Sequence, residues 1–146
     1  MNTHRLQGNI LTPQGWVFGD LHFNARLVRV SGVPADPAHN DAPCILPGFI
    51  DLHVHGGGGH DVMQGGDAAH TIARTHTRHG TTSWLATTMT APPDEIEQAL
   101  MAVGKAAHAR RPGTARLLGV HLEGPYLNAG KLGAQPDCAQ TGTLAQ

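Results

Sequence analysis

The chain has 146 residues, 40% of them apolar and 14% charged, which is enough for a packed core and too apolar for a disordered segment. Ten basic and eleven acidic side chains give a net charge of −1 with no basic block, so neither nucleic acid nor an anionic membrane is expected as a partner. No run reaches the roughly 18 apolar residues of a membrane span, and the start, MNTHRLQGNI, lacks the basic and apolar regions of a leader.

Residues 1–46 read as short strands and turns. The stretches 5–12, 15–23 and 25–32 carry partial apolar/polar alternation, punctuated by Gly8, Pro13, Gly15, Gly19 and Gly32. Residues 32–43 form a polar, proline-containing loop. This portion is expected to be part of a small β domain. Cys44 and Cys138 stand in no zinc-ligand spacing and read as reduced thiols of a cytoplasmic protein.

Residues 47–146 follow a different pattern. The segment 44–55, CILPGFIDLHVH, is apolar and β-branched and predicts a strand. A helix is predicted over 67–79, capped by Asp67, with Ala69, Ile72, Ala73 and His76 on one face and Gly80 at its end. A second strand is predicted over 81–90, with Trp84 as a packing residue. A second helix covers 91–111, opened by Pro92 and Pro93, with Ile96, Leu100, Val103 and Ala107 as its apolar stripe. A third strand covers 115–125. The order β-α-β-α-β implies parallel strands covered by helices. A closed barrel needs eight strands, so these three read as the front part of something larger.

In the first of these strands, alternation puts Phe49, Asp51, His53 and His55 on one face and leaves Ile50, Leu52 and Val54 as an apolar face under helices. His53 and His55 lie roughly 6–7 Å apart along the strand and can converge on one ion. They end the strand on the side where α/β proteins place their sites. The same two residues also fit a pair of partly exposed histidines before a loop. In the third strand Leu117, Gly119, His121 and Glu123 share a face, so Glu123 can meet the histidines at the sheet end. Two histidines and a carboxylate form a ligand set of catalytic zinc. His121 and Asp51 read as supports behind the ligands, and His60 as a loop histidine. Gly56–Gly59 read as a flexible loop that lets backbone approach a ligand, in preference to a phosphate cradle.

The segment LPGFIDLHVHGGGGHD (46–61) resembles the first barrel strand of the amidohydrolase superfamily. LLGVHLEGPYLNAGKLGAQP (117–136) narrows the resemblance to the N-acetylglucosamine-6-phosphate deacetylases. The likeness covers essentially the whole chain and about the first third of a complete member. It implies an incomplete (β/α)8 barrel, its first three strands over 47–146, preceded by part of a small β-sandwich domain over 1–46. It implies Glu123 as a metal ligand, and His53 and His55 as the His-x-His that some members use for a second ion. It implies a divalent metal, zinc foremost, with iron or manganese as alternatives. Ala134 and Gln135 match a substrate-contacting pair whose second member is often histidine; an amide there still donates and accepts.

The activity implied is hydrolysis of the acetamide of a small amino-sugar phosphate, N-acetylglucosamine 6-phosphate. Two further histidines and a proton-shuttling aspartate would lie downstream, so this chain alone is expected to be inactive. A full-length homodimer in the cytoplasm is implied as well. The rival readings are another amidohydrolase of the dihydroorotase or hydantoinase kind and a non-catalytic truncated product. The first would carry charged residues where four glycines follow His55.

Overall fold

The computed structural model describes residues 2–143. Met1, part of the stretch read for a leader, and positions 144–146 of the expected second domain lie outside the described residues. The chain divides between Pro47 and Gly48 into two compact units.

The first unit is a four-stranded sheet of β1 (His4–Thr12), β2 (Gly15–Phe23), β3 (Leu27–Pro34) and β4 (Cys44–Ile45), in the order β3-β2-β1-β4. The first three strands form an antiparallel meander, and β4 runs parallel to β1. Among the described residues of this unit no second sheet faces the first. The polar loop after β3 is held by side chains. Asp36 accepts a hydrogen bond from the Ala38 N–H at 2.9 Å, capping a 3-10 turn at Pro37–His39. The fully buried Asn9 exchanges amide hydrogen bonds with Asn40 at 2.8 and 3.2 Å and donates to the Ala42 carbonyl. Buried amides persist only when paired in this way.

The second unit contains β5 (Phe49–Val54), a hairpin of β6 (Gly56–Gly57) and β7 (His60–Asp61), α1 (Ala68–Thr77), β8 (Thr81–Thr87), α2 (Pro93–His108) and β9 (Arg116–His121). The β-α-β-α-β order expected from the sequence is present, and β5, β8 and β9 form a parallel sheet with β8 central. The expected strand 44–55 is two strands. Cys44–Ile45 pairs with β1, whereas Phe49–Val54 pairs with β8. Between them, Pro47 has no N–H to give to a ladder.

The core of this unit lies between the sheet and the two helices. Val54, Ile72, Ala73, Trp84, Ala86, Val103 and Ala106 are buried together, with Ile72 and Trp84 at 0% exposure. His76 stacks on Trp84 with ring planes 8° apart. The inner stripe of α2 is Ile96, Ala99, Val103 and Ala106. Leu100 sits at its margin and Ala107 outside it, a correction to the expected stripe that follows from the i, i+3, i+7, i+10 spacing of the buried face. Pro93 opens α2, with Asp94 and Glu95 in the first turn, where the helix dipole favours acids.

Three further expectations change. Ile50 and Leu52 are 62% and 60% exposed, so Val54 alone of its expected face is buried. The reason is position: β5 is an edge strand, and no described element covers its outer side. Strand register also shifts three times, the first between Phe49 and Ile50. An extra residue bulges β5 between Asp51 and Val54, and another bulges the β8–β9 pairing, so that Leu117 and Val120, three apart, both pack on the core. Finally, Gly56–Gly59 form no open loop. They belong to a two-residue hairpin whose turn, Gly58-Gly59, has φ of 63° and 80°, as a type I′ turn requires. The hairpin packs on α1, and the Gly56 carbonyl accepts from His76 Nε2 at 3.1 Å.

Asp67 precedes α1, but its carboxylate makes no capping bond. It takes a bidentate pair from Arg111 at 2.8 and 3.0 Å, and that hydrogen bonding holds its carboxyl below the usual range. One turn on, His70 is buried at 7% exposure. Burial, with the Arg111 and Arg74 charges, pushes its imidazole down despite Asp67. The unfolded chain therefore takes up this proton at a higher pH than the folded one. Stability should fall as pH drops below the ordinary histidine range of about 6.5. Urea unfolding at pH 7.5 and 5.5 should show this fall, and His70→Gln should flatten it.

Candidate metal centre

The C-terminal ends of β5 and β9 carry the candidate ligands, and β8 between them carries the groups that hold them. At the β5 bulge, two side chains replace the missing ladder bonds. Asp51 accepts from the His53 N–H at 3.1 Å, and the Thr87 hydroxyl accepts from the Val54 N–H at 2.9 Å. The bulge brings the two imidazoles together: His53 Nε2 and His55 Nε2 are 3.1 Å apart. After β9 the chain turns at Gly124, whose φ is 74°. A side chain there would run into Thr90. This close approach sets Glu123 beside β8, where its N–H donates to the Thr88 hydroxyl at 3.1 Å.

Glu123 Oε2 lies 3.2 Å from His53 Nε2 and 3.1 Å from His55 Nε2. The three atoms thus form a nearly equilateral triangle. A tetrahedral zinc with bonds of about 2.0–2.1 Å holds its donors about 3.3 Å apart, so the triangle has the size of one coordination face. Oε2 is also buried and receives no hydrogen bond, which for a carboxylate oxygen is costly without a cation.

The His55 tautomer fits too. His55 Nδ1 faces the Thr87 carbonyl at 3.2 Å; a carbonyl only accepts, so in the neutral ring the proton is on Nδ1 and Nε2 keeps its lone pair. His53 Nδ1 lies 3.1 Å from His121 Nδ1, which also faces the Leu52 carbonyl at 3.3 Å; Nε2 of His53 is free for an ion in the tautomer where His53 donates to His121, and not where His121 donates to His53. His121 therefore stands behind His53, as the sequence suggested, and Asp51 holds the backbone of His53. Among the described residues, His53, His55 and Glu123 are the group whose geometry suits a metal ion. His60 is apart from it, bonded to Gln64.

Gln135 is brought to the site but is already engaged. Its Nε2 donates to Glu123 Oε1 at 2.8 Å and approaches Met89 Sδ at 3.6 Å, while its Oε1 accepts from the Thr90 N–H at 2.7 Å. Ala134, beside it, is exposed. Sequence reasoning missed the three buried threonines, Thr87, Thr88 and Thr90, as the scaffold of the site. The signal available was the run of hydroxyls at 81–90, where the strand ends and backbone groups need partners.

The fold and the site together define an α/β protein with a candidate metal centre at the C-terminal rim of a parallel sheet. The chain belongs to the amidohydrolase family, whose model matches residues 44–137. It is 37% identical over 140 residues to an N-acetylgalactosamine-6-phosphate deacetylase of Escherichia coli O157:H7, covering 92% of this chain and 36% of that protein. It is 45% identical over 96 residues to an N-acetylglucosamine-6-phosphate deacetylase of Vibrio furnissii, covering 63% of this chain and 23% of that protein. Among solved structures, the N-acetylglucosamine-6-phosphate deacetylase of Thermotoga maritima aligns with a TM-score of 0.77 at 26% identity, over 97% of this chain and 38% of that one. A mutant of the Mycobacterium smegmatis enzyme, in complex with N-acetyl-D-glucosamine-6-phosphate, aligns with a TM-score of 0.76 at 27% identity, over 95% and 37%. These relatives are deacetylases, and the matches span between 23% and 38% of their length.

Proposed function

We propose that this chain supplies the opening β/α units of an incomplete (β/α)8 barrel, and three metal-binding side chains, to a hydrolase that removes the acetyl group of N-acetylglucosamine 6-phosphate. The observation that carries the reading is Glu123 Oε2, buried, without a hydrogen bond, and within 3.1–3.2 Å of two imidazole nitrogens. The exposed apolar residues of the two edge strands, Ile50 and Leu52 on one side and Leu118 on the other, support further barrel units as their cover. The Escherichia coli relative, matched over most of the chain, favours the galactosamine isomer as a second substrate reading.

His53, His55 and Glu123 would hold the divalent ion, zinc foremost, with iron or manganese as alternatives. Bound there, the ion supplies Lewis acidity and activates water toward an amide carbonyl. The protein groups fix the ligands: Thr87 sets the His55 tautomer, His121 backs His53, and Thr88 ties down the Glu123 backbone. Ala134, next in sequence to Gln135, would contact the sugar. Gln135 has one Oε1 lone pair left to offer the substrate. The free Cys44 and Cys138 support a reducing, cytoplasmic setting.

The 146-residue chain alone is expected to release no acetate from either sugar phosphate with added zinc, manganese or iron. Turnover above a metal-only control would overturn that expectation. The function itself is tested by exchanging this chain for the matching segment of the Escherichia coli relative. The chimera should deacetylate one of the two sugar phosphates and lose that activity with Glu123→Gln. A folded, metal-loaded chimera inactive on both would overturn the reading.

A further inference from the structure

We propose that Gln135 is a positioning residue of the metal centre, selecting which oxygen of Glu123 faces His53 and His55. The inference rests on the metal reading above and adds to it a residue that aims a ligand without touching the ion. Chemistry forces the orientation of the Gln135 amide. Its two partners are a carboxylate, which only accepts, and a backbone N–H, which only donates. Nε2 must therefore face Glu123 Oε1, at 2.8 Å, and Oε1 must face the Thr90 N–H, at 2.7 Å.

The consequence lies in the glutamate. Its terminal torsion is soft and roughly two-fold, so a carboxylate left alone can swing either oxygen toward the histidines or turn its plane between them. Gln135 occupies Oε1, and Oε2 is left without a donor at 3.1 and 3.2 Å from the two imidazole nitrogens. Both ends of Glu123 are then fixed to one segment: its backbone N–H to Thr88, and its carboxylate, through Gln135, to Thr90. Gln135 reaches the site from a separate stretch, beyond the 3-10 turn at Ala129–Lys131, and is itself braced by its N–H on the Leu132 carbonyl at 3.0 Å. The Met89 sulfur takes up the remaining approach to Nε2. An amide whose two donors are so committed serves the ligand before it serves a sugar.

The test uses the intact 146-residue chain and cobalt(II) as probe. Gln135→Met keeps the length of the side chain and removes both hydrogen bonds. It should weaken cobalt binding by about 10–100-fold, the range for partners that orient ligands, and alter the visible cobalt spectrum while far-UV circular dichroism stays unchanged. Gln135→His keeps one donor and one acceptor and should recover most of the affinity. In the parent protein, one side-chain amide proton of Gln135 should exchange slowly with solvent, before and after zinc is added. Cobalt affinity within twofold of the parent in Gln135→Met, an equal loss in a folded Gln135→His, or exchange as fast as a free amide would each overturn the proposal. If the parent chain binds no cobalt, the metal reading fails and the proposal with it; if the parent binds and Gln135→Met binds equally, only the role of Gln135 is rejected.

Discussion

Replacing Glu123 with alanine is expected to reduce zinc or cobalt affinity by more than about 100-fold, the largest effect of any single change at the site. Partners that merely orient a ligand command about 10–100-fold, and a ligand carries more. Glu123 is the one carboxylate of the triad, and its Oε2 has no hydrogen bond to lose. The variant should keep its fold, because the Glu123 backbone bond to Thr88 is untouched. Glu97→Ala, which removes an exposed carboxylate on α2, should bind metal like the parent. Isothermal titration with zinc in a non-coordinating buffer distinguishes the two. Equal affinity in Glu123→Ala and the parent would remove Glu123 from the ligand set.

Trp84→Ala is expected to cost about 3–5 kcal/mol, the range for emptying a large buried aromatic site. Trp84 is fully buried in the centre of β8, beneath α1 and α2, and His76 stacks on it. A loss of this size is a large part of the 5–15 kcal/mol that holds a typical domain together. Trp84→Phe should be much milder. It keeps most of the apolar volume, and the indole Nε1 makes no hydrogen bond that would be forfeited. Urea midpoints for the three proteins, measured without metal, check the order. A Trp84→Ala midpoint equal to that of the parent would contradict this account of the core.

Much of this architecture is legible in the residues themselves. The helical periods of 67–79 and 91–111, and the apolar runs before, between and after them, set the order of the parallel unit, because burial periodicity is local information. The ligand candidates are legible for the same reason: His53, His55 and Glu123 each fall at the end of an apolar run. What the sequence hides depends on neighbours. The bulges at Asp51–Val54 and in β9 come from pairing with β8, and they decide which side chains share a face. The exposure of Ile50 and Leu52 comes from the edge position of β5, which alternation cannot reveal. The four glycines read as a loop because their composition permits many conformations. Their hairpin is fixed by packing on α1, through His76 and Gly56. Asp67 has the chemistry of a cap, yet Arg111, 44 positions away, claims its carboxylate. Gln135 is the sharpest instance, since twelve residues separate it from Glu123 and only the folded turn joins their side chains.

The central claim is that one ion binds between His53, His55 and Glu123. Its most direct test is anomalous diffraction at the zinc edge from crystals of this chain grown with zinc. The account predicts a single strong peak at about 2.0–2.2 Å from His53 Nε2, His55 Nε2 and Glu123 Oε2. A map with no peak between these atoms, or with the ion on other side chains while the three stand apart, would contradict it.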